Sequence, residues 1–235
     1  MADLNSVSGP KGMSALLRAI YNGHSEAARF LILHGADTSV VDTDGRGALR
    51  YAFDYAAPSM LFFRAGGSED DRNTVSGTKG TTPLHRAIKD GHFEAARLLV
   101  FHGTYVKLVD TKMRSALHYT FLHDATVEVV WDVIIAGADV GAKDADGNAP
   151  AHLAISRRTD NPAVLRTLLR RGADMNATNH KKESLVHMAA DRGKLECAKA
   201  LLDAGAKPDT KDIKGDTPLH VAADRDDMGI VGMLI

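Results

Sequence analysis

Short apolar stretches with helical spacing recur along this chain, and in the clearest copy a glycine ends each of them. Leu84, Ala87 and Ile88 follow one another at i, i+3 and i+4, which places them on one face of a short helix. Gly91 comes next, and a second apolar stretch then runs to Gly103. Glycine ends a helix well because it adopts the left-handed conformation without steric cost. The pattern therefore predicts two short helices, one after the other.

The glycine that ends the second stretch recurs along the whole sequence. It stands at Gly35, Gly66, Gly103, Gly137, Gly172 and Gly205, an average spacing of 34 residues. A second marker follows most of these glycines by thirteen residues, and it reads "TPLH" at 82–85, "SALH" at 115–118, "SLVH" at 184–187 and "TPLH" at 217–220. Self-similarity at a fixed period predicts stacked repeats, in which neighbours bury the apolar face that one repeat cannot bury alone.

Each letter of the marker has a physical role. Thr82 and Thr217 can cap a helix through the hydroxyl group, and Pro83 and Pro218 then occupy the first helical position, where no N–H is needed. Stretches such as "DADGN" at 144–148 have the composition of a tight turn. One repeat is therefore predicted to be a hairpin turn followed by two antiparallel helices.

The motifs "TPLH", "GH" and "GAD" in this register resemble the ankyrin repeat family. The resemblance implies an all-α solenoid of stacked helix-turn-helix pairs joined by hairpin loops. We expect residues 1–235 to form a single repeat domain. Seven repeats are expected, at about 9–41, 42–67, 77–109, 110–143, 144–178, 179–211 and 212–235, with the last one incomplete.

Eleven histidines invite a hypothesis of metal binding or acid–base chemistry. The fourth marker position holds His85, His118, His152, His187 and His220, and the family resemblance implies that these are buried, hydrogen-bonded residues that link neighbouring repeats. The chain contains no HExxH and no Cys/His spacing that suits zinc. The sequence therefore predicts no catalytic residue, no cofactor and no metal site.

Three segments depart from the repeat. The second repeat lacks the middle glycine and contains Pro58, and four extra residues lengthen the turn at 67–80. That turn is either a tolerated surface insertion or an extended recognition finger. In the fifth repeat, residues 156–162 lengthen the connection between the helices, and Asp160 or Asn161 followed by Pro162 suits the start of the second helix.

The seventh repeat ends at Ile235 without a terminating glycine or a polar capping helix. We expect the natural chain to continue there, or the end to be a boundary of the fragment. We also expect Leu234 and Ile235 to be partly exposed, which would favour self-association of an otherwise monomeric protein.

Composition narrows the classes of partner. The net charge is −1, so the chain lacks the consistently basic stripe of a duplex-binding protein, and no nucleic-acid partner is predicted. No apolar run approaches the ~20 residues that span a bilayer, and no secretory signal is recognised, so no membrane partner is predicted. One cysteine, Cys197, rules out an intrachain disulfide framework. We expect a cytoplasmic or nuclear location.

The resemblance implies a non-catalytic scaffold that binds an unidentified protein through its concave face and hairpin tips. The candidate binding residues are Arg46, Tyr55, Lys79, Lys89, Lys112, Arg114, His123, Arg157, Lys181 and Arg192. Lys79, Lys89, Lys112 and Arg114 fall in the third and fourth repeats, and they favour a partner with an acidic extended segment. The alternative is a regulatory or targeting arm of a longer multidomain protein, such as an enzyme or a transcription regulator. Asn176 in "GADMNA" also resembles the hairpin asparagine that oxygen-dependent hydroxylases modify in some ankyrin proteins.

Overall fold

The computed structural model describes residues 3–48, 50–51, 73, 75, 79–158, 160 and 162–235. The chain divides into two compact units, Met1–Asp110 and Thr111–Ile235, which are described separately. Tyr55, Pro58 and most of the turn at 67–80 lie outside the described residues, so the predictions made for them stay predictions.

The first compact unit contains a small hairpin and four described helices. Strand β1 (Val7–Ser8) pairs antiparallel with β2 (Met13–Ser14), and the helices are α1 (Ala15–Tyr21), α2 (Ser25–Leu33), α3 (Pro83–Lys89) and α4 (Phe93–Phe101). Helix α1 packs against α2, and α3 packs against α4. Gly91 separates α3 from α4 with a φ of 77°, as the sequence predicts.

The second compact unit is built from four helix pairs. Its helices are α5 (Ala116–Leu122), α6 (Val127–Ile135), α7 (Pro150–Ile155), α8 (Pro162–Arg170), α9 (Leu185–Asp191), α10 (Leu195–Asp203), α11 (Pro218–Asp224) and α12 (Met228–Leu234). The first helices of successive pairs contact one another, from α5 through α7 and α9 to α11, and α8, α10 and α12 form a second layer. Leu168, Leu185 and Leu201 are fully buried in this unit. The all-α repeat fold is confirmed.

The residues of the marker start and cap the helices as predicted. Pro83, Pro150 and Pro218 are the first residues of α3, α7 and α11. The hydroxyl of Ser184 accepts a hydrogen bond from the His187 amide at 3.4 Å, and the Ser184 amide donates to Nδ1 of the His187 ring at 3.2 Å. Each partner therefore satisfies a polar group that the start of the helix would otherwise leave unpaired.

In four of the described hairpin turns a carboxylate or amide side chain accepts hydrogen bonds from the backbone amides of the turn. The buried Asp144 accepts hydrogen bonds from the backbone amides of Asp146 at 3.0 Å and Asn148 at 2.8 Å. The same contact pattern is made by Asp42, Asn179 and Asp212. These side chains fix the hairpin shape because they replace water as the acceptor for the turn amides.

The long connection of the fifth repeat is anchored to the next repeat. Helix α8 begins at Pro162 as predicted, while the Asp160 carboxylate accepts from the amides of Glu196 at 2.9 Å and Cys197 at 3.2 Å. The Lys194 ammonium donates to the carbonyl oxygen of Arg158 at 2.8 Å. The inserted residues therefore bind the start of α10.

The seventh repeat forms both of its helices. Ile230 of α12 is fully buried together with Ala190 and Ala222, and Leu234 packs partly buried against this cluster. Ile235 is 92% exposed, in agreement with the sequence-based expectation.

Candidate functional site

Two of the marker histidines, His118 and His187, link neighbouring repeats. His85, His118, His152 and His187 are buried. Nε2 of His118 lies 3.2 Å from the carbonyl oxygen of Asn148, and Nε2 of His187 lies 3.0 Å from that of Asp216, each in the next hairpin. The prediction of burial is wrong for His220, whose ring is exposed because no further hairpin of the described chain covers it.

Burial favours the neutral form of two of these rings. It lowers the pKa of His118 and of His152, and the Asn148 carbonyl offsets only part of this effect for His118. Among the residues that the structure describes, no three His, Cys, Asp or Glu side chains lie together in a way that could hold a metal ion. None of the described helices has the length and apolar character needed to span a bilayer.

The hairpins of the second compact unit place their outer ends in one row. We call this the tip row, and it comprises residues 111–113, 145–147, 180–182 and 213–215. Backbone hydrogen bonds join each tip to the next, from the amide of Ala145 to the carbonyl of Lys112 at 2.8 Å, from His180 to Asp146 at 3.0 Å and from Ile213 to Lys181 at 2.9 Å. The spacing between tips is therefore set by the main chain.

The charged side chains exposed in the tip row are mainly basic, and apolar side chains lie among them. Four exposed lysines, Lys112, Lys181, Lys182 and Lys214, stand against one exposed carboxylate, Asp146. Two large apolar side chains are also exposed in the row, Met113 at 54% and Ile213 at 66%. A surface of this kind offers both charge and apolar contact to an extended chain.

At two tips a residue other than glycine occupies a backbone position that favours glycine. Met113 and Lys182 have φ values of 58° and 59°, in the left-handed region. Gly147 and Gly215 occupy the same place in the other two hairpins, with φ values of 79° and 91°. A residue other than glycine is strained there by about 1–2 kcal/mol. The chain thus keeps a methionine and a lysine at the tips despite that cost.

The other candidates in this compact unit are less available. The Arg114 Nε lies 3.9 Å from the buried Asp144 carboxylate. Arg157 donates to Asp124 Oδ1 and to the Ala125 carbonyl, both at 3.1 Å, so its guanidinium links the fourth and fifth repeats. His123 ends α5 with its ring 5.4 Å from that of Tyr119, and Arg192 is exposed beside Asp191.

The first compact unit contains three of the candidates that the structure describes. Lys79 and Lys89 are exposed. Arg46 forms ion pairs with Asp42 and Asp44 and lies over the Tyr51 ring. Burial raises the pKa of the Asp42 carboxyl, but hydrogen bonds from Tyr51 and Arg46 outweigh it and leave the pKa below its ordinary value. Arg46 is therefore engaged inside its own hairpin.

Sequence reasoning missed a second family of links between repeats. The side-chain oxygen of Asn176 accepts from the backbone amide of Lys207 at 2.8 Å. Asn5 and Asn73 make the same contact, at 2.7 Å each, with the amides of Asp37 and Tyr105. In each case the asparagine precedes the residue that it contacts by 31 or 32 positions, about one repeat length. This recurrence at the repeat spacing was the only signal in the sequence. This contact occupies the oxygen of Asn176 but leaves the predicted hydroxylation untested.

Two models of a known protein family match most of the chain. The model for three consecutive ankyrin repeats matches residues 57–144, 122–212 and 151–235, and the single ankyrin repeat matches residues 11–43.

Several longer proteins are similar to this chain. They include the E3 ubiquitin-protein ligase KEG of Arabidopsis thaliana, 29% identical over 83% of this chain and 13% of that protein. A homolog of transient receptor potential cation channel subfamily A member 1 in Caenorhabditis elegans is 32% identical over 62% of this chain and 12% of its own length. The B-cell lymphoma 3 protein homolog of Mus musculus is 30% identical over 71% of this chain and 37% of its own length. The chain therefore spans far less than two thirds of these relatives.

Proposed function

The chain belongs to the ankyrin repeat family, whose repeats serve as protein–protein interaction modules, and on that premise we propose that the tip row binds an extended acidic segment of a partner protein. The observation that carries the proposal is the row of four exposed lysines on hairpins joined by backbone hydrogen bonds. A fixed spacing lowers the entropy that binding must overcome, because the tips are already ordered before a partner arrives.

Charged and apolar side chains of the tip row would contribute differently to binding of the partner. Exposed lysines act over about 8 Å at physiological ionic strength, so they steer an acidic segment towards the row and add modest affinity. Met113 and Ile213, which are both exposed, supply the apolar contacts. A flexible methionine adapts to side chains of different shape.

The test uses two exposed lysines on different tips. Lys112→Glu combined with Lys181→Glu reverses the charge of two exposed side chains, whereas Arg114 lies against the Asp144 carboxylate and is a poorer choice. The matched control is Lys199→Glu with Lys207→Glu, two exposed lysines outside the tip row. Immobilised wild type and both variants are exposed to the same cell lysate, and retained proteins are quantified by mass spectrometry.

We expect wild type and control to retain the same proteins, and the tip variant to retain them about tenfold more weakly, which corresponds to ~1.4 kcal/mol. Raised salt should weaken wild-type retention in the same direction. If the tip variant retains these proteins as wild type does, the binding site lies elsewhere. If its melting temperature falls well below that of the control, the lysines are structural and the assignment is wrong.

A second proposal concerns the protein as a whole. We infer that these repeats act as the targeting or regulatory segment of a longer protein, because the similar proteins are much longer than this chain. Sequencing the full transcript on both sides of these 235 residues tests this. A transcript that encodes only the repeats would overturn it.

A further inference from the structure

The layer of second helices contains an apolar cleft, away from the tip row. Helices α6 and α8 leave a cleft of about 80 Å³ between them. It is lined by Val127, Val130, Trp131, Ala163, Val164 and Thr167. Trp131, the single tryptophan of the chain, is 39% exposed.

The cleft continues into an apolar stripe along α6. Val127, Trp131 and Ile135 stand at i, i+4 and i+8, and their exposed fractions are 42%, 39% and 66%. Residues at this spacing lie one above another on a helix face. A contiguous apolar surface of this kind marks an interaction site more often than a single exposed side chain does.

The cleft occurs where two neighbouring helices depart from a rule that α2, α4 and α10 keep. Helix α12, with Gly229 and Gly232 at the same positions, also departs from it. In α2, Glu26 forms an ion pair with Arg29 at 3.1 Å, and in α4 Glu94 forms one with Arg97 at 3.7 Å. Helix α10 has Glu196 and Lys199 at the same spacing. The rule is thus an acid followed three residues later by a base, which covers the helix surface with charge.

Helices α6 and α8 each lose one half of that pair. In α6 the base is replaced by Trp131, which follows Glu128. In α8 the acid is replaced by Ala163, which precedes Arg166. Both replacements line the cleft. Arg166 and Arg170, both exposed, form no ion pair with any residue in the described part of the chain. The small Ala163 side chain beside Trp131 leaves room for the cleft. Arg166 follows Ala163 by three residues and Arg170 follows Thr167 by three, so each arginine is a neighbour of a lining residue on the α8 surface.

We propose that this cleft binds an amphipathic helix of a partner protein, with apolar side chains against Trp131 and acidic side chains against Arg166 and Arg170. Helices α6 and α8 each have nine residues, about 13 Å or about two and a half turns, so a partner helix of similar length would lie along them. An amphipathic helix binds a groove through an apolar face with residues at i, i+3, i+4 and i+7. The two arginines favour acidic over basic flanks because like charges repel each other.

The probe is a synthetic helical peptide of about 14 residues, with leucines along one face and glutamates on both flanks. A control peptide has lysine in place of each glutamate. Both have a fluorescein label, and binding to the full chain is followed by anisotropy. Trp131 emission gives a second readout that reports only this cleft, since the chain has no other tryptophan.

We expect the glutamate peptide to bind saturably and shift Trp131 emission to shorter wavelength, and the lysine peptide to bind at least about tenfold more weakly. Arg166→Glu with Arg170→Glu should reverse this preference. Trp131→Arg, which restores the residue type of α2 and α4, should abolish binding while the melting temperature stays close to that of wild type. The matched control is Lys199→Glu, at the position of α10 that corresponds to Arg166, and it should bind as wild type does.

Other occupants would give other results. Equal binding of the two peptides, no binding of either, or undiminished binding by Trp131→Arg would overturn the proposal. A wild-type dimer in sedimentation that Trp131→Arg converts to monomer would identify a second copy of the chain as the occupant instead. An emission shift with phosphatidylserine vesicles but not with the glutamate peptide would point to a membrane surface, and would also overturn it. None of these results affects the tip row, which the Lys112 and Lys181 variant tests separately.

Discussion

The carboxylate of Asp160 lies 2.9 Å from the backbone nitrogen of Glu196, a residue 36 positions further along the chain. Helix α10 has no side-chain cap of its own at Lys194. Asp160 therefore caps a helix in the next repeat, where the unpaired amides and the positive end of the helix dipole favour a carboxylate. The inserted connection of the fifth repeat thus stabilises the sixth.

Loss of this cap should destabilise the second compact unit. We expect Asp160→Ala to lower the free energy of unfolding by about 1 kcal/mol, the usual value of a helix cap. Asp209→Ala, which removes an exposed aspartate outside any cap, should change it by less than about 0.5 kcal/mol. Urea denaturation followed by circular dichroism measures both. Indistinguishable midpoints for the two variants would contradict the capping role.

The Cys197 thiol should be inert in the folded protein. Burial, with a smaller effect from Asp160, raises the pKa of this thiol to about 12. The thiolate is the reactive form, so at neutral pH the folded chain should react with iodoacetamide far more slowly than the urea-unfolded chain. Mass spectrometry of the alkylated product over time gives both rates. Equal rates with and without urea would mean that Cys197 is accessible.

Two hairpin glycines should differ sharply in their tolerance of alanine. Gly147 and Gly215 both have positive φ, but a Cβ on Gly147 would come within 2.6 Å of the His180 ring, whereas Gly215 faces open space. We expect Gly215→Ala to cost about 1–2 kcal/mol from backbone strain alone. Gly147→Ala should cost about 1–3 kcal/mol more, because His180 and its backbone must move.

Thermal or urea unfolding of the two glycine variants gives the comparison. Equal losses would show that the hairpin relaxes freely around His180, and that the contact between the fifth and sixth repeats is loose.

Stability should fall as the pH drops below neutrality. Burial lowers the pKa of His118 and His152 from an ordinary value of 6.5. Below pH 6.5 the unfolded chain then binds more protons than the folded one, so stability is fully present above this pH and is lost as the pH falls towards the lowered values. The lowered carboxyl pKa values of Asp42 and Asp212 act only below about 3.8, outside this window.

Urea midpoints at about pH 7.5 and about pH 5.5 bracket the histidine transition. We expect a lower midpoint at the acidic pH, and a smaller difference in His118→Gln. His220→Gln, at the same marker position but exposed, is the matched control and should keep the wild-type difference. Identical midpoints at the two pH values would rule out this coupling.

The sequence by itself determined the repeat and its local ends. Pro83, Pro150 and Pro218 start helices, Gly91 ends one, and the marker histidines are buried wherever a following hairpin covers them. These features depend on contacts within a few residues, or on contacts that recur at a fixed spacing. A single chain displays both kinds as periodicity.

Only the tertiary structure decided which candidate charges are available. The sequence indicated Lys112, Arg114 and Arg157 equally as candidate binding residues. In the structure Lys112 is exposed, Arg114 lies beside Asp144, and Arg157 donates hydrogen bonds to Asp124 and Ala125. The tertiary structure also decided the cleft between α6 and α8, because its lining residues on α6 are more than thirty positions from those on α8. The energy of a charge or an apolar side chain depends on which groups replace its water, and stacking of the repeats sets those neighbours.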